Sequence, residues 1–366
     1  MARRVMACVW GFAGLALAAA PALGASAQAT RTRADVQAII QKAGTTPPEW
    51  WDAVPLDYPK TLDLSWPEKP PGQWNAQKNV GQYLWSVINE NPSHWRSGIR
   101  FLHYLLTYHK DNPGPLGRAM EALAGSYFNL FQDHARAAFW WQKVAQRREL
   151  HFFEEVRLAE CYWRLGNKEM ASAELKKIDE YVSASQVKLW SDMGDLDKAL
   201  KLAGYMTSDD EPSTVADGHL AAGDACRVHG QFQQALTHYG KVMAIQPVGK
   251  WKGGIERCRK RAQANAEAVK LYDALDLKRI PDGTYTARSD AYVGPLQVAV
   301  AVKAGRIESV RVTQHQDKQY YTSIAEIPRR IVAAQSVQGI DAVTSATITC
   351  EAIVNATAKA LAGAVK

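Results

Sequence analysis

A small residue followed five positions later by alanine recurs through the middle of the chain, and it narrows the fold more than any other feature. Gly166 precedes Ala171, Gly194 precedes Ala199, and Gly230 precedes Ala235, with Ala222-Gly223 before it and Tyr239 and Pro247 after it. A fainter copy has Gln132 in the glycine position, followed by Ala137 and Trp141. Successive copies lie 34, 28 and 36 residues apart. That spacing suits one helix–turn–helix unit per copy. Small residues let paired helices approach closely, and the recurrent aromatic fills the gap between neighbouring pairs. Residues 78–277 therefore read as helix after helix, with Val80–Asn89 and Trp95–Tyr108 extending or capping the stack.

These spacings resemble the tetratricopeptide repeat, although no copy matches every position. The resemblance implies an all-α solenoid whose concave groove binds peptides or partner proteins. The plainer alternative is a spacer. Ahead of it, residues 29–77 begin with a short helical pattern and continue dense in proline and tryptophan, with Trp50, Trp51, Trp66 and Trp74 among Pro47, Pro48, Pro55, Pro59, Pro67, Pro70 and Pro71. Proline at that density forbids regular helix, and tryptophan needs cover. An extended strap lying on the helices is expected; an aromatic platform for carbohydrate or quinone is the sharper reading.

After Pro281-Asp282-Gly283 the hydrophobic period changes from helical to alternating. Val298, Val300 and Val302 alternate with alanine, Ala304-Gly305 makes a turn, and Ile307, Val310 and Val312 follow. That is a hairpin pattern. A helix-like Ile327–Val332 comes next, then Asp341-Ala342-Val343-Thr344-Ser345-Ala346-Thr347-Ile348-Thr349. Ile353, Ala356, Ala360 and Leu361 have helical spacing, which puts Thr347 near a helix N-terminus, where backbone N–H groups and the helix dipole favour an anion. Hydroxyl residues before an apolar run also serve simply as N-caps.

The whole order over residues 282–362 resembles the FMN-binding domains in the redox subunits of sodium-pumping quinone reductases and electron-transport complexes. The resemblance implies an α+β domain over residues 281–366. It also implies FMN joined to Thr347 through a phosphoester by a separate flavin transferase that uses FAD and a divalent metal. Thr344, Ser345, Ala346 and Thr349 would form the phosphate-side loop, and Asp341 occupies the family's acidic position. Ser345 stands where the family has glycine, and Cys350 where it has serine, so non-covalent binding is the alternative. Tyr285, Tyr292 and Leu296 are the expected neighbours of the isoalloxazine ring.

Residues 1–28 have the pattern of a secretory signal: Arg3 and Arg4, an apolar Val9–Ala20, and small residues at Ala25-Ser26-Ala27. A retained anchor is the alternative. Export to a periplasm is expected, which argues against a nucleic-acid partner for the net charge of +7. The basic run Lys250–Arg279 reads first as a solvated helix face. Its second reading is a contact for an acidic protein or an anionic lipid surface, that is, peripheral membrane association. Cys161, Cys226, Cys258 and Cys350 form no metal or haem motif and read as structural. The expected protein is thus multidomain, an all-α tetratricopeptide-like solenoid followed by an α+β FMN-binding domain. It passes electrons between redox protein partners docked on the repeats, with no catalytic residue of its own and no metal. The rivals are a flavin-dependent reductase using His315 and Arg311, and a flavin-free interaction scaffold. A fragment starting near Lys278 is expected to fold alone.

Overall fold

The computed structural model describes residues 30–318, 322–343 and 346–365, so the expected leader at residues 1–28 lies outside the described residues. Apart from residues 46–79, the N-terminal region is largely helical. It runs α1 (Arg33–Thr45), α2 (Val80–Tyr83, continued by a π-helical turn to Asn89), α3 (Trp95–Tyr108), α4 (Pro113–Ser126), α5 (His134–Ala145) and α6 (Phe152–Arg164). It continues through α7 (Lys168–Lys176), α8 (Ala184–Asp192), α9 (Leu196–Thr207), α10 (Pro212–Val228), α11 (Phe232–Ala244) and α12 (Lys252–Leu271). A mixed α/β domain follows, with β1 (Gly283–Asp290), β2 (Pro295–Lys303), β3 (Arg306–Gln314), α13 (Thr322–Ala334) and α14 (Thr347–Ala362).

The recurrent frame marks the corners between consecutive helices. Gln132, Gly166, Gly194 and Gly230 all have positive φ, between 53° and 93°. At three of them the next residue's N–H closes the helix by bonding five residues back: Asn167 to Tyr162 O, Asp195 to Trp190 O and Gln231 to Cys226 O, at 2.8 to 3.0 Å. Asp133, Asn167 and Asp195 then cap the following helix through their side chains. Ala137, Ala171, Ala199 and Ala235 are fully buried. Glycine removes the steric cost of the left-handed turn, and alanine brings the helices together.

Residues 46–79 are mostly turns laid against these helices. Trp51 meets His103 edge-on at 4.9 Å, Trp50 stacks on Phe131, and Arg100 lies 4.3 Å above Trp51. Trp66 is buried and its carbonyl accepts from Arg118, whereas Trp74 is 62% exposed.

The sheet is an antiparallel meander, β1-β2-β3, with the second turn at Ala304-Gly305, where both residues have positive φ. Helix α14 packs on β1 and β2, and α13 packs on β3 and α14. The remaining side of α14 is covered by α12. Arg261 pairs with Glu351, Asn355 Nδ2 donates to Asn265 Oδ1 at 2.7 Å, and Lys359 pairs with Glu267. Both numbers rise together along this seam, so α12 and α14 run parallel. One hydrophobic cluster joins residues of α10, α11 and α12 to the sheet, α13 and α14. The secondary structure changes near Pro281 as expected, but the core does not divide there.

Candidate functional site

Thr347 is the first residue of α14, half-buried, with Ala346 at the N-cap. Among the described residues no side chain caps this end. It opens into a cleft of about 660 Å³ whose walls come from both regions. Ala346, Thr347, Ile348 and Thr349 form one side; residues of α6, α8, α10 and α12 form the other. Leu189, Leu220 and Val228 make the helical wall apolar, and Trp85, Phe153, Tyr292 and Val293 are lining residues that are each at least half exposed. Volume and lining are those of a site for an organic ligand.

Asp341 fastens this loop to the helical region. Its carboxylate accepts from Arg164 Nη2 at 3.0 Å and from Lys188 Nζ at 2.9 Å, and Arg330 Nη1 donates to its carbonyl at 3.1 Å. Burial would raise the Asp341 carboxyl, but Lys188 and Arg164 outweigh it and hold it well below the usual carboxylate range. Both cations are shared with Asp192, and Arg164 also reaches Glu160 at 3.3 Å. Burial and the charge of Asp341 push the Asp192 carboxyl the other way, up to about 8. Two acids sharing the same cations thus have their affinities for protons driven apart.

Thr349 lines the cleft with its hydroxyl already engaged. It is buried, and its hydroxyl donates to Asp317, whose other oxygen accepts from Val293 N at 2.8 Å. The threonine side chain therefore ties α14 to the β1–β2 turn through Asp317. Thr344 and Ser345 lie outside the described residues. Of the three expected ring neighbours, Tyr292 lines the cleft; the Tyr285 hydroxyl donates to Pro281 O at 2.7 Å, and Leu296 is fully buried in the sheet. Arg311 and His315 are exposed and are not among the cleft residues. Cys350 is buried, with Val343 N donating to its sulfur at 3.3 Å, and burial pushes the thiol up to about 12. A thiol with that affinity for its proton is inert.

Further along α14, Arg261 forks onto Glu351 at 2.8 and 3.0 Å and reaches Asp224 at 3.3 Å. Asp224 also accepts from the Tyr239 hydroxyl at 2.8 Å and from Asn265 at 3.0 Å; burial and the nearby Glu351 charge push its carboxyl up to about 7. Arg227 lines the same cleft at 5% exposure, yet its Nε has no hydrogen-bond partner and its guanidinium makes no ion pair among the described residues. A buried guanidinium N–H without an acceptor, lining the same cleft as the start of α14, is a donor set suited to an anionic organic ligand. Among the described residues no group of three or more His, Cys, Asp or Glu could hold a metal. Sequence reading missed Arg164, Lys188, Arg227 and Arg261, which carry no local motif. Asp317 stood within the family order and could have been found from it.

A protein of Treponema pallidum (strain Nichols), described as uncharacterized, is 40% identical over 82 residues, which cover 22% of this chain and 22% of that protein. No solved structure matches the chain. The family described as FMN-binding domain matches residues 292–362, which span β2, β3, α13 and α14 and include Thr347. The C-terminal part of the chain is an FMN-binding domain.

Proposed function

We propose that the protein is an exported electron carrier whose FMN is joined to Thr347 and lies in the cleft between the flavin domain and the helical wall. One observation carries the reading: Thr347 begins α14 and lines the cleft. The bound flavin would supply reversible two-electron chemistry. Backbone N–H groups at the start of α14 stabilise its phosphodiester. Leu189, Leu220 and Val228 exclude water from one side of the ring. Asp341, held by Arg164 and Lys188, fixes the loop that carries Thr347. Redox partners reach the flavin at the rim formed by Trp85, Phe153, Tyr292 and Val293, so the helical region acts as a wall of the site as well as a docking surface.

A flavin transferase installs the cofactor after or during export directed by residues 1–28. The test is the intact mass of protein exported from a host that has the transferase, with peptide mapping. One FMN is expected on the Thr347 peptide, and Thr347→Ala is expected to keep the fold and lose the adduct. An adduct that survives Thr347→Ala sinks the assignment. The enclosed cleft also suits a reductase with a small-molecule substrate. Substrate-dependent reoxidation of the flavin with no partner protein present would favour that second reading.

A further inference from the structure

We infer that Arg227 is a cofactor-contacting residue whose guanidinium balances the negative charge acquired by the flavin ring on reduction. The inference rests on the placement of FMN at Thr347. The reasoning begins with charge accounting around α10, α12 and α14. Arg227 faces Asp224 on its own helix, Tyr239 on α11, Tyr272 just after α12, and Glu351 on α14. The two acids are already engaged. Glu351 takes both arms of the Arg261 fork, and Asp224 takes Arg261, Tyr239 and Asn265. Neither lies within ion-pair distance of Arg227; their charges favour its cation from further off, but its Nε has no hydrogen-bond partner among the described residues.

A buried guanidinium N–H without an acceptor costs about 1–3 kcal/mol. A fold tolerates that when a ligand supplies the missing partner. The start of α14 already offers its N–H groups to the phosphodiester. Arg227 lies near Glu351, four residues and so about one helical turn beyond Thr347. It sits beside the apolar wall of Leu220 and Val228, which suits the ring better than the phosphate.

The chemistry defines what the cation does there. The oxidised ring takes up two electrons and one proton, which goes to N5, and the product carries one negative charge spread over N1 and the C2 carbonyl. The electrons come from dithionite in a titration, or from a redox partner. In acid, free reduced flavin takes a second proton at N1; a guanidinium at that position keeps that proton in solvent. A fixed positive charge thus raises the potential and holds the couple to one proton per two electrons.

The experiment is a dithionite titration of the full-length, flavinylated chain across mildly acid to neutral pH. With one proton per two electrons, each pH unit is a tenfold change in the equilibrium, or about 30 mV. That slope is expected for the parent down to the acid limit of its stability. Arg227→Met is expected to shift the equilibrium at least tenfold towards the oxidised flavin and to restore the two-proton slope, about 60 mV per pH unit, in acid. Arg227→Lys is expected to keep the parent slope. A two-proton slope in the parent, or an unmoved potential in folded Arg227→Met, overturns the role of Arg227. If Arg227→Met does not fold, the parent slope alone decides. Intact mass separates the two levels: absence of an adduct defeats the Thr347 placement, whereas an adduct with an unmoved potential defeats only the role of Arg227.

Discussion

Replacing Asp341 with asparagine probes the joint between the flavin loop and the helical region. The carboxylate accepts charge-assisted hydrogen bonds from Arg164 at 3.0 Å and Lys188 at 2.9 Å, and its side chain is 22% exposed. Removing one partner of a buried ion pair costs about 3–5 kcal/mol when the other charge is stranded. Here neither cation is stranded, because Asp192 remains on both and Glu160 remains on Arg164. The loss reduces to the two hydrogen bonds, partly screened by water and partly offset by relief of repulsion from Asp192. A net cost of about 2 kcal/mol follows, roughly a 30-fold drop in the folding equilibrium.

The pH dependence gives a second check. The folded Asp341 carboxyl titrates below its unfolded value of 3.8. Its contribution is therefore complete above that value and is lost as pH falls towards the folded one. The cost of Asp341→Asn should shrink below about pH 4, while near neutrality it also carries the titration of Asp192, which the Asp341 charge helps push up to about 8. Urea unfolding followed by tryptophan fluorescence, at about pH 7 and about pH 3, measures both quantities. A variant within about 0.5 kcal/mol of the parent at neutral pH, or a difference that does not shrink in acid, would refute the reasoning.

Three further outcomes are expected. Thr349→Val removes the hydroxyl that Asp317 accepts from and leaves a buried carboxylate with the donor Val293 N; a loss of about 2 kcal/mol should appear in the same urea assay. Gly223→Ala would set a Cβ 2.6 Å from the Tyr239 ring, a buried side chain bonded to Asp224; overpacking of about 1–3 kcal/mol should lower the melting temperature, and an unchanged melt would show that the seam yields freely. A fragment beginning near Lys278 bares the face of α14 that α12 covers, including Glu351 without Arg261; it should aggregate or melt broadly by circular dichroism, and a sharp cooperative transition would contradict the shared core.

Much of the local structure was legible in the sequence because it depends on neighbours. The start of α14 falls within one residue of its reading, and Ala304-Gly305 makes the expected turn. The recurrent glycine frame reports backbone conformation directly, which explains why it remained visible when flanking positions diverged. The candidate site was only half legible. Thr347 and Asp341 sit in a motif, but Arg164 is 177 residues from the Asp341 it binds, and no periodicity announces such a pair. The bond from Thr349 to Asp317 was not legible, because a hydroxyl in a loop motif does not reveal which carboxylate will take it. Within Lys250–Arg279, a stretch read first as a solvated face, Arg261 turns inward to Glu351, a partner 90 residues away.

The parallel seam between α12 and α14 sets the order in which the molecule can be completed. A chain emerging from its N-terminus presents Arg261, Asn265 and the buried face of α12 about 90 residues before their partners exist. Until the final helix arrives, that face is exposed and the cleft lacks the side that bears Thr347. Closing so long a loop is slow relative to pairing neighbouring helices. If FMN is joined to Thr347 as proposed, that residue is most accessible to an attaching enzyme before α14 settles on α12.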